Sequence, residues 1–272
     1  MKTLIEIIKE HIGFKSQIFK LAKSDIIRTY QGSALGWLWA LIKPTITIFV
    51  YWFAFSIGIR KSGDVVVKDV AYPFFLWLIA GIVAWFYISE MLTQGTESIR
   101  KYNYLVTKMR FPVSTIPTFV SISKLIVHLI LLTIVIVIFW AFGYPPDIYY
   151  LQLPFYIMCM FVFFTIFTLT TATLSAISKD FSNLVKSIVT AIFWISGILW
   201  DVDTIKIGWL KSVLMFNPVT FVCTGFRNVF INKIWFFEQP QRLYYLIFMT
   251  AFMLICSLFF YKKLRKDIPD VL

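Results

Sequence analysis

Residues 125–142 read LIVHLILLTIVIVIFWAF, eighteen positions without an Asp, Glu, Lys or Arg. An α-helix rises about 1.5 Å per residue and needs about 20 apolar residues to cross the ~30 Å hydrocarbon layer of a bilayer. Lys124 stands just before this run, so the stretch 111–142 is expected to be one span, with that lysine at the bilayer edge. Working outward, similar apolar runs occupy 34–59, 72–92, 154–177, 184–200 and 243–261. The expected fold class is therefore all-α integral membrane, with six spans. Composition agrees: 59% of the 272 residues are hydrophobic and 15% charged, against about 45–50% and 25% in soluble domains.

Lys and Arg set the orientation. Six spans put both termini on one face, together with the loop 95–110 and the turn 178–183, and that face carries roughly twice as many Lys and Arg as the other. Both termini are thus expected in the cytoplasm of a cell whose plasma membrane the chain crosses. The net charge of +12 lies between apolar runs, not on a continuous polar stripe, which favours topology and anionic lipid over nucleic acid. The N-terminal residues MKTLIEIIKEHIGFKSQ lack the uninterrupted apolar core of a signal peptide, because Glu6, Lys9 and Glu10 break it.

Two segments do not fit simple spans. Residues 14–33 place Phe14, Ile18, Leu21, Ala22, Asp25 and Ile26 on one helical stripe and most of their basic residues off it. This spacing predicts an amphipathic interfacial helix, serving as an anchor or as a moving gate. The loop 201–242 holds apolar segments 205–216 and 219–230, too short to cross and split by Asn217-Pro218. They are expected to form a re-entrant cap on the outer face.

Residues that could carry chemistry are few. No Gly-Lys pair exists, so the chain has no phosphate-binding loop of the GxxxxGK[ST] type. Its two histidines, His11 and His128, lie too far apart in sequence for a relay, and Cys159, Cys223 and Cys256 form no metal-binding spacing. Asp201-Val202-Asp203 mimics a glycosyltransferase DxD but follows a span, as a solvated loop start would. Lys43, Glu90 and Lys124 are membrane-edge charges, with Glu90 placed to pair with either lysine or to meet substrate. Trp37, Trp39, Trp77, Trp85 and Phe86 crowd the first two spans, either as a lipid-facing belt or as the lining of a path for a sugar chain. Gly32 and Gly36 form a GxxxG, read as a helix contact or a hinge.

Four segments in order, TYQGSALGWLWALIKP (29–44), KYNYLVTKMRFPVSTIP (101–117), SKDFSNLVKSIV (178–189) and FNPVTFVCTGFRNVF (216–230), resemble the permease subunit of ABC type-2 exporters for surface polysaccharides. The resemblance covers the whole chain as a single transmembrane domain. GILWD at 197–201 looks most like the teichoic-acid export permeases, with O-antigen export permeases as near relatives. The resemblance implies a transport subunit without chemistry of its own, working as two permeases with two ATP-binding cassette subunits that hold ATP and Mg. It implies a polyprenyl-diphosphate-linked glycopolymer as cargo. Residues 97–110, with Glu97, Arg100, Lys101, Tyr102, Tyr104 and Lys108, match the loop that couples to the ATPase. Residues 14–31 match the gate helix, where Lys23 and Arg28 are placed to meet the lipid diphosphate. Relatives often carry Arg-Asp where this chain has Lys179-Asp180. Rival readings are a type-2 exporter of drugs or small lipids, a membrane-bound polyprenyl-phosphate sugar transferase, and a secondary transporter. The last two lack the clustered or deep intramembrane acids they need.

Overall fold

A computed structural model describes residues 2–59, 64–109 and 111–272. Arg60, Lys61 and Arg110, all part of the topological charge count, lie outside the described residues. The chain opens with two helices, α1 (Lys2–Gly13) and α2 (Lys15–Tyr30), and then α3 (Trp39–Phe53). A two-stranded antiparallel hairpin follows, β1 (Val65–Val67) with β2 (Val70–Tyr72). Next come α4 (Phe74–Glu90), the short α5 (Ser98–Lys101) and α6 (Asn103–Thr107), α7 (Thr115–Ala141), α8 (Leu153–Ile177) and α9 (Lys179–Ile195). The last are α10 (Gly208–Met215), α11 (Pro218–Arg227), α12 (Pro240–Leu264) and α13 (Ile268–Val271).

Among the described residues, five helical runs are long and apolar enough to cross a membrane: Gly36–Gly58, Phe74–Gly95, Thr115–Ala141, Ile148–Ile177 and Pro240–Leu264. They overlay the expected spans one, two, three, four and six. The fifth differs. Instead of 184–200, the helix runs Lys179–Ile195, and its 17 residues reach about 25 Å, short of the hydrocarbon layer. Gly197 ends the segment with φ +66°, a conformation that disfavours any residue with a Cβ, and the chain turns back there. The expected cap segment forms α10 and the run Pro218–Asn232, bent by 91°, as in a broken span or a re-entrant loop. Asn217 makes the break: its Oδ1 accepts from Val219 N–H at 2.9 Å, and Pro218 occupies the first helical turn, where its missing N–H costs nothing.

The spans are unequal in burial. α4 is central, with almost its whole surface inside the chain, and packs against α7 and α11. On α3 only Pro44 is buried, so that helix leans against the bundle and leaves Ile46, Phe49, Val50 and Phe53 exposed. A second apolar cluster sits at one end, where Ile18 and Ala22 of α2 meet Ile99, Tyr102, Leu105, Phe119 and Val120. The amphipathic stripe of α2 thus packs on α7 and the short helices, while Phe19 and Ile27 stay exposed on the other side. The hairpin lay hidden in a sequence without a turn glycine: Lys68 and Asp69 both take positive φ, 50° and 65°, as a tight primed turn requires.

Candidate functional site

The end of the bundle that carries α2, α5 and α6 is called here the loop end. At its centre is Asp25, 1% exposed. Its carboxylate accepts from Lys101 Nζ at 2.9 Å, from Ser123 Oγ at 2.6 Å and from the Tyr102 hydroxyl. Burial alone would raise its pKa, but the bonds from Ser123, Tyr102 and Lys101 outweigh it and hold the carboxyl below the usual carboxylate range. Its contribution to stability is therefore present above the unfolded-state pKa of about 3.9 and is lost only as pH falls through the depressed value. One turn further along, Arg28 Nη1 donates to the Tyr104 hydroxyl at 2.9 Å.

The expected coupling-loop residues divide into two sets. Glu97 and Tyr102 are engaged within the chain: Glu97, partly exposed, accepts from Lys186 at 2.5 Å and Ser182 at 2.9 Å on α9, and Tyr102 is buried. Arg100 and Tyr104 are half-buried, and Lys101 is exposed along its stem while its ammonium reaches Asp25. Lys108 is exposed together with Asn103, Thr107 and Met109, and these form the free surface of the loop.

Beside this tie lies a cavity of about 380 Å³ between the end of α2, α3, α4 and α7. All three expected edge charges line it. Lys124 pairs with Glu90 at 3.2 Å and donates to Gln94 Oε1 at 2.8 Å. Gln94 in turn donates to Glu90. Lys43 stands across the cavity and makes no ion pair among the described residues. Thr29, Tyr30, Ser33, Ser89 and His128 add polar groups, and Trp39 and Phe86 supply aromatic faces. Lys43, the Lys124–Glu90 pair, several hydroxyls and aromatic faces suit an anionic head group with an apolar tail. The expected lipid-diphosphate residues Lys23 and Arg28 do not line it: Lys23 is exposed and Arg28 is engaged by Tyr104.

The remaining aromatic candidates scatter. Trp37 is exposed. Trp85 is buried against Phe193 of α9, ring centres 5.2 Å apart. Trp77 lies under the Arg227 guanidinium at 3.6 Å. Gly32 and Gly36 take φ +84° and +50°, and a Cβ on either would meet nothing within 4 Å. They serve as turn positions between α2 and α3, not as a close helix contact.

The family description "ABC-2 type transporter" matches residues 16–231. The chain belongs to that family. Among curated proteins, the permease is 24% identical over 228 residues to the O-antigen export system permease protein RfbA of Myxococcus xanthus, covering 84% of this chain and 85% of that one. It is 23% identical over 271 residues to a Klebsiella pneumoniae protein of the same name, covering 97% and 98%. A second Klebsiella pneumoniae relative so named is 22% identical over 269 residues.

At the opposite end, the permease uses its DxD-like segment structurally. Asp203 pairs with Arg242 at 2.5 Å and Lys211 at 2.9 Å. Arg227 is the functional-looking residue that sequence reading missed: it is 3% exposed and donates to the carbonyls of Gly197 (2.6 Å), Trp200 (3.3 Å) and Ile198. It thereby ties the turn after α9 to the re-entrant α11. Asp25 was also missed, though a signal was available: an acid on the apolar stripe of an amphipathic helix is out of place unless it is paired.

Proposed function

We propose that the permease is the membrane subunit of an ATP-driven exporter of a polyprenyl-diphosphate-linked surface polysaccharide of the O-antigen class. Two copies and two separate ATP-binding subunits, which hold ATP and Mg, make up the working complex. The observation that carries this reading is the likeness to O-antigen export permeases across nearly the whole chain. That likeness favours O-antigen polysaccharide over teichoic acid as cargo. The cavity supports it. Lys43 and Lys124 receive the lipid diphosphate at the cytoplasmic leaflet, and Trp39 and Phe86 face the first sugars. Both termini and the α5–α6 loop lie in the cytoplasm, and Thr107, Lys108 and Met109 are the surface that meets the ATPase.

The test is to purify the permease with an ATP-binding cassette subunit from the same source and to follow ATP hydrolysis. Stimulation by polyprenyl-diphosphate-linked O-polysaccharide, and not by lipid-linked teichoic acid, is the expected result. The reverse preference would return teichoic acid as the cargo. Absence of a complex would remove the exporter reading.

A further inference from the structure

We propose that Asp25 makes α2, the α5–α6 loop and the start of α7 a single moving body, so that displacement of the loop by the ATPase acts directly on the walls of the Lys43–Lys124 cavity. This rests on the exporter reading above.

The geometry points to Asp25 because one buried carboxylate gathers donors from two other segments. Lys101 and Tyr102 belong to the loop, and Ser123 belongs to α7. Arg28 adds an exposed bond one turn later through Tyr104. Separating α2 from the loop would strand a buried charge, which is among the most costly local changes a protein can make. The same loop is also held to α9, through Glu97 with Lys186 and Ser182. There the ion-pair side chains are 40% and 45% exposed, and an exposed pair contributes little and exchanges readily with water. A push on the loop therefore carries α2 with it more readily than α9.

The body reaches the cavity directly. Thr29 and Tyr30 of α2 and Lys124, Val127 and His128 of α7 line it, as do Trp39, Lys43, Pro44 and Thr47 of α3. Between α2 and α3 lie Gly32 and Gly36, both at positive φ with open space around them. Such positions can absorb a change in backbone direction. Movement of the body about this turn changes the separation of Lys124 from Lys43, and with it the grip on an anionic head group.

The experiment uses the full permease–ATPase complex in lipid nanodiscs, with Cys159, Cys223 and Cys256 replaced by Ser. Spin labels are placed on exposed positions through Lys23→Cys, Asn103→Cys and Leu184→Cys. With Asp25 present, the 23–103 distance is expected to stay unchanged when ATP is added, while the 103–184 distance changes. In Asp25→Asn the 23–103 distance is expected to broaden on ATP. Polymer moved per ATP should then fall roughly tenfold while basal hydrolysis persists, an uncoupling that a merely structural residue would not produce. A 23–103 distance that changes with ATP in the Asp25 protein would overturn the proposal, as would unchanged polymer per ATP in Asp25→Asn. Should that variant not accumulate, the distances in the Asp25 protein decide alone. Failure of the exporter reading would show separately, as no polymer movement by the Asp25 complex while the distances still report on the tie.

Discussion

Arg227→Met is expected to reduce the folded, detergent-extractable permease severely, with a loss of roughly 3 kcal/mol or more in stability. Methionine keeps the length and the apolar stem but removes every donor. The carbonyls of Gly197, Ile198 and Trp200, which Arg227 now satisfies, would lose these bonds in a buried turn, at about 1–3 kcal/mol for each group left unpaired. The stack on Trp77 at 3.6 Å would lose its cation–π part, about another 1–2 kcal/mol when desolvated. Gly81 belongs to the same arrangement. A Cβ there would stand 2.5 Å from Arg227 Nη2, so Gly81→Val should reproduce the loss by displacing the guanidinium. Thermal aggregation midpoints of the solubilised variants measure both effects. A midpoint for Arg227→Met equal to that of the unchanged protein would mean that the re-entrant cap holds without this arginine.

The second large effect concerns transport. Lys43→Met should leave folded abundance intact, because Lys43 has no carboxylate partner among the described residues. It should nonetheless raise the concentration of lipid-linked polysaccharide needed for half-maximal ATPase stimulation by roughly 10–100-fold. That range follows from losing one charge-assisted contact to a diphosphate, about 1.5–3 kcal/mol. Lys124→Met should do the same and also cost some stability, since Glu90 would keep only Gln94 as a partner. Lys23→Met, on an exposed face of α2 away from the cavity, should change the half-point little. Equal half-points for Lys43→Met and the unchanged permease would take the cavity out of substrate recognition.

What the sequence made legible follows from the strength of each physical signal. Apolar runs such as 125–142 are long, and the bilayer leaves few alternatives for them, so five spans and the Asn217-Pro218 break could be placed. The fifth helix slipped because its polar start at Lys179 and Asp180 belongs to the helix, while its apolar end passes into the turn at Gly197. The hairpin escaped because Lys68-Asp69 is an uncommon pair for its turn. Two of the five Lys and Arg of the loop 201–242 have structural partners that only three dimensions reveal. Arg227 and Arg242 are buried among internal partners, so a count of loop charges treats as solvated two residues that are structural. Pairings across long sequence separations, such as Asp25 with Tyr102 and Ser123, leave at most a misplaced polar residue on an apolar stripe. The edge charges and the pairing of Glu90 with a lysine were visible, but the cavity they line was not.

The most direct test of the account is reconstitution of the permease with its ATP-binding subunit into proteoliposomes whose outer leaflet is loaded with polyprenyl-diphosphate-linked O-polysaccharide. Complexes with the ATPase facing outward can then use ATP added outside. The account predicts ATP-dependent loss of the polymer from outside access by a glycan-cleaving enzyme, abolished when the ATPase cannot hydrolyse. A stable, hydrolysing complex that leaves the polymer fully accessible would contradict it.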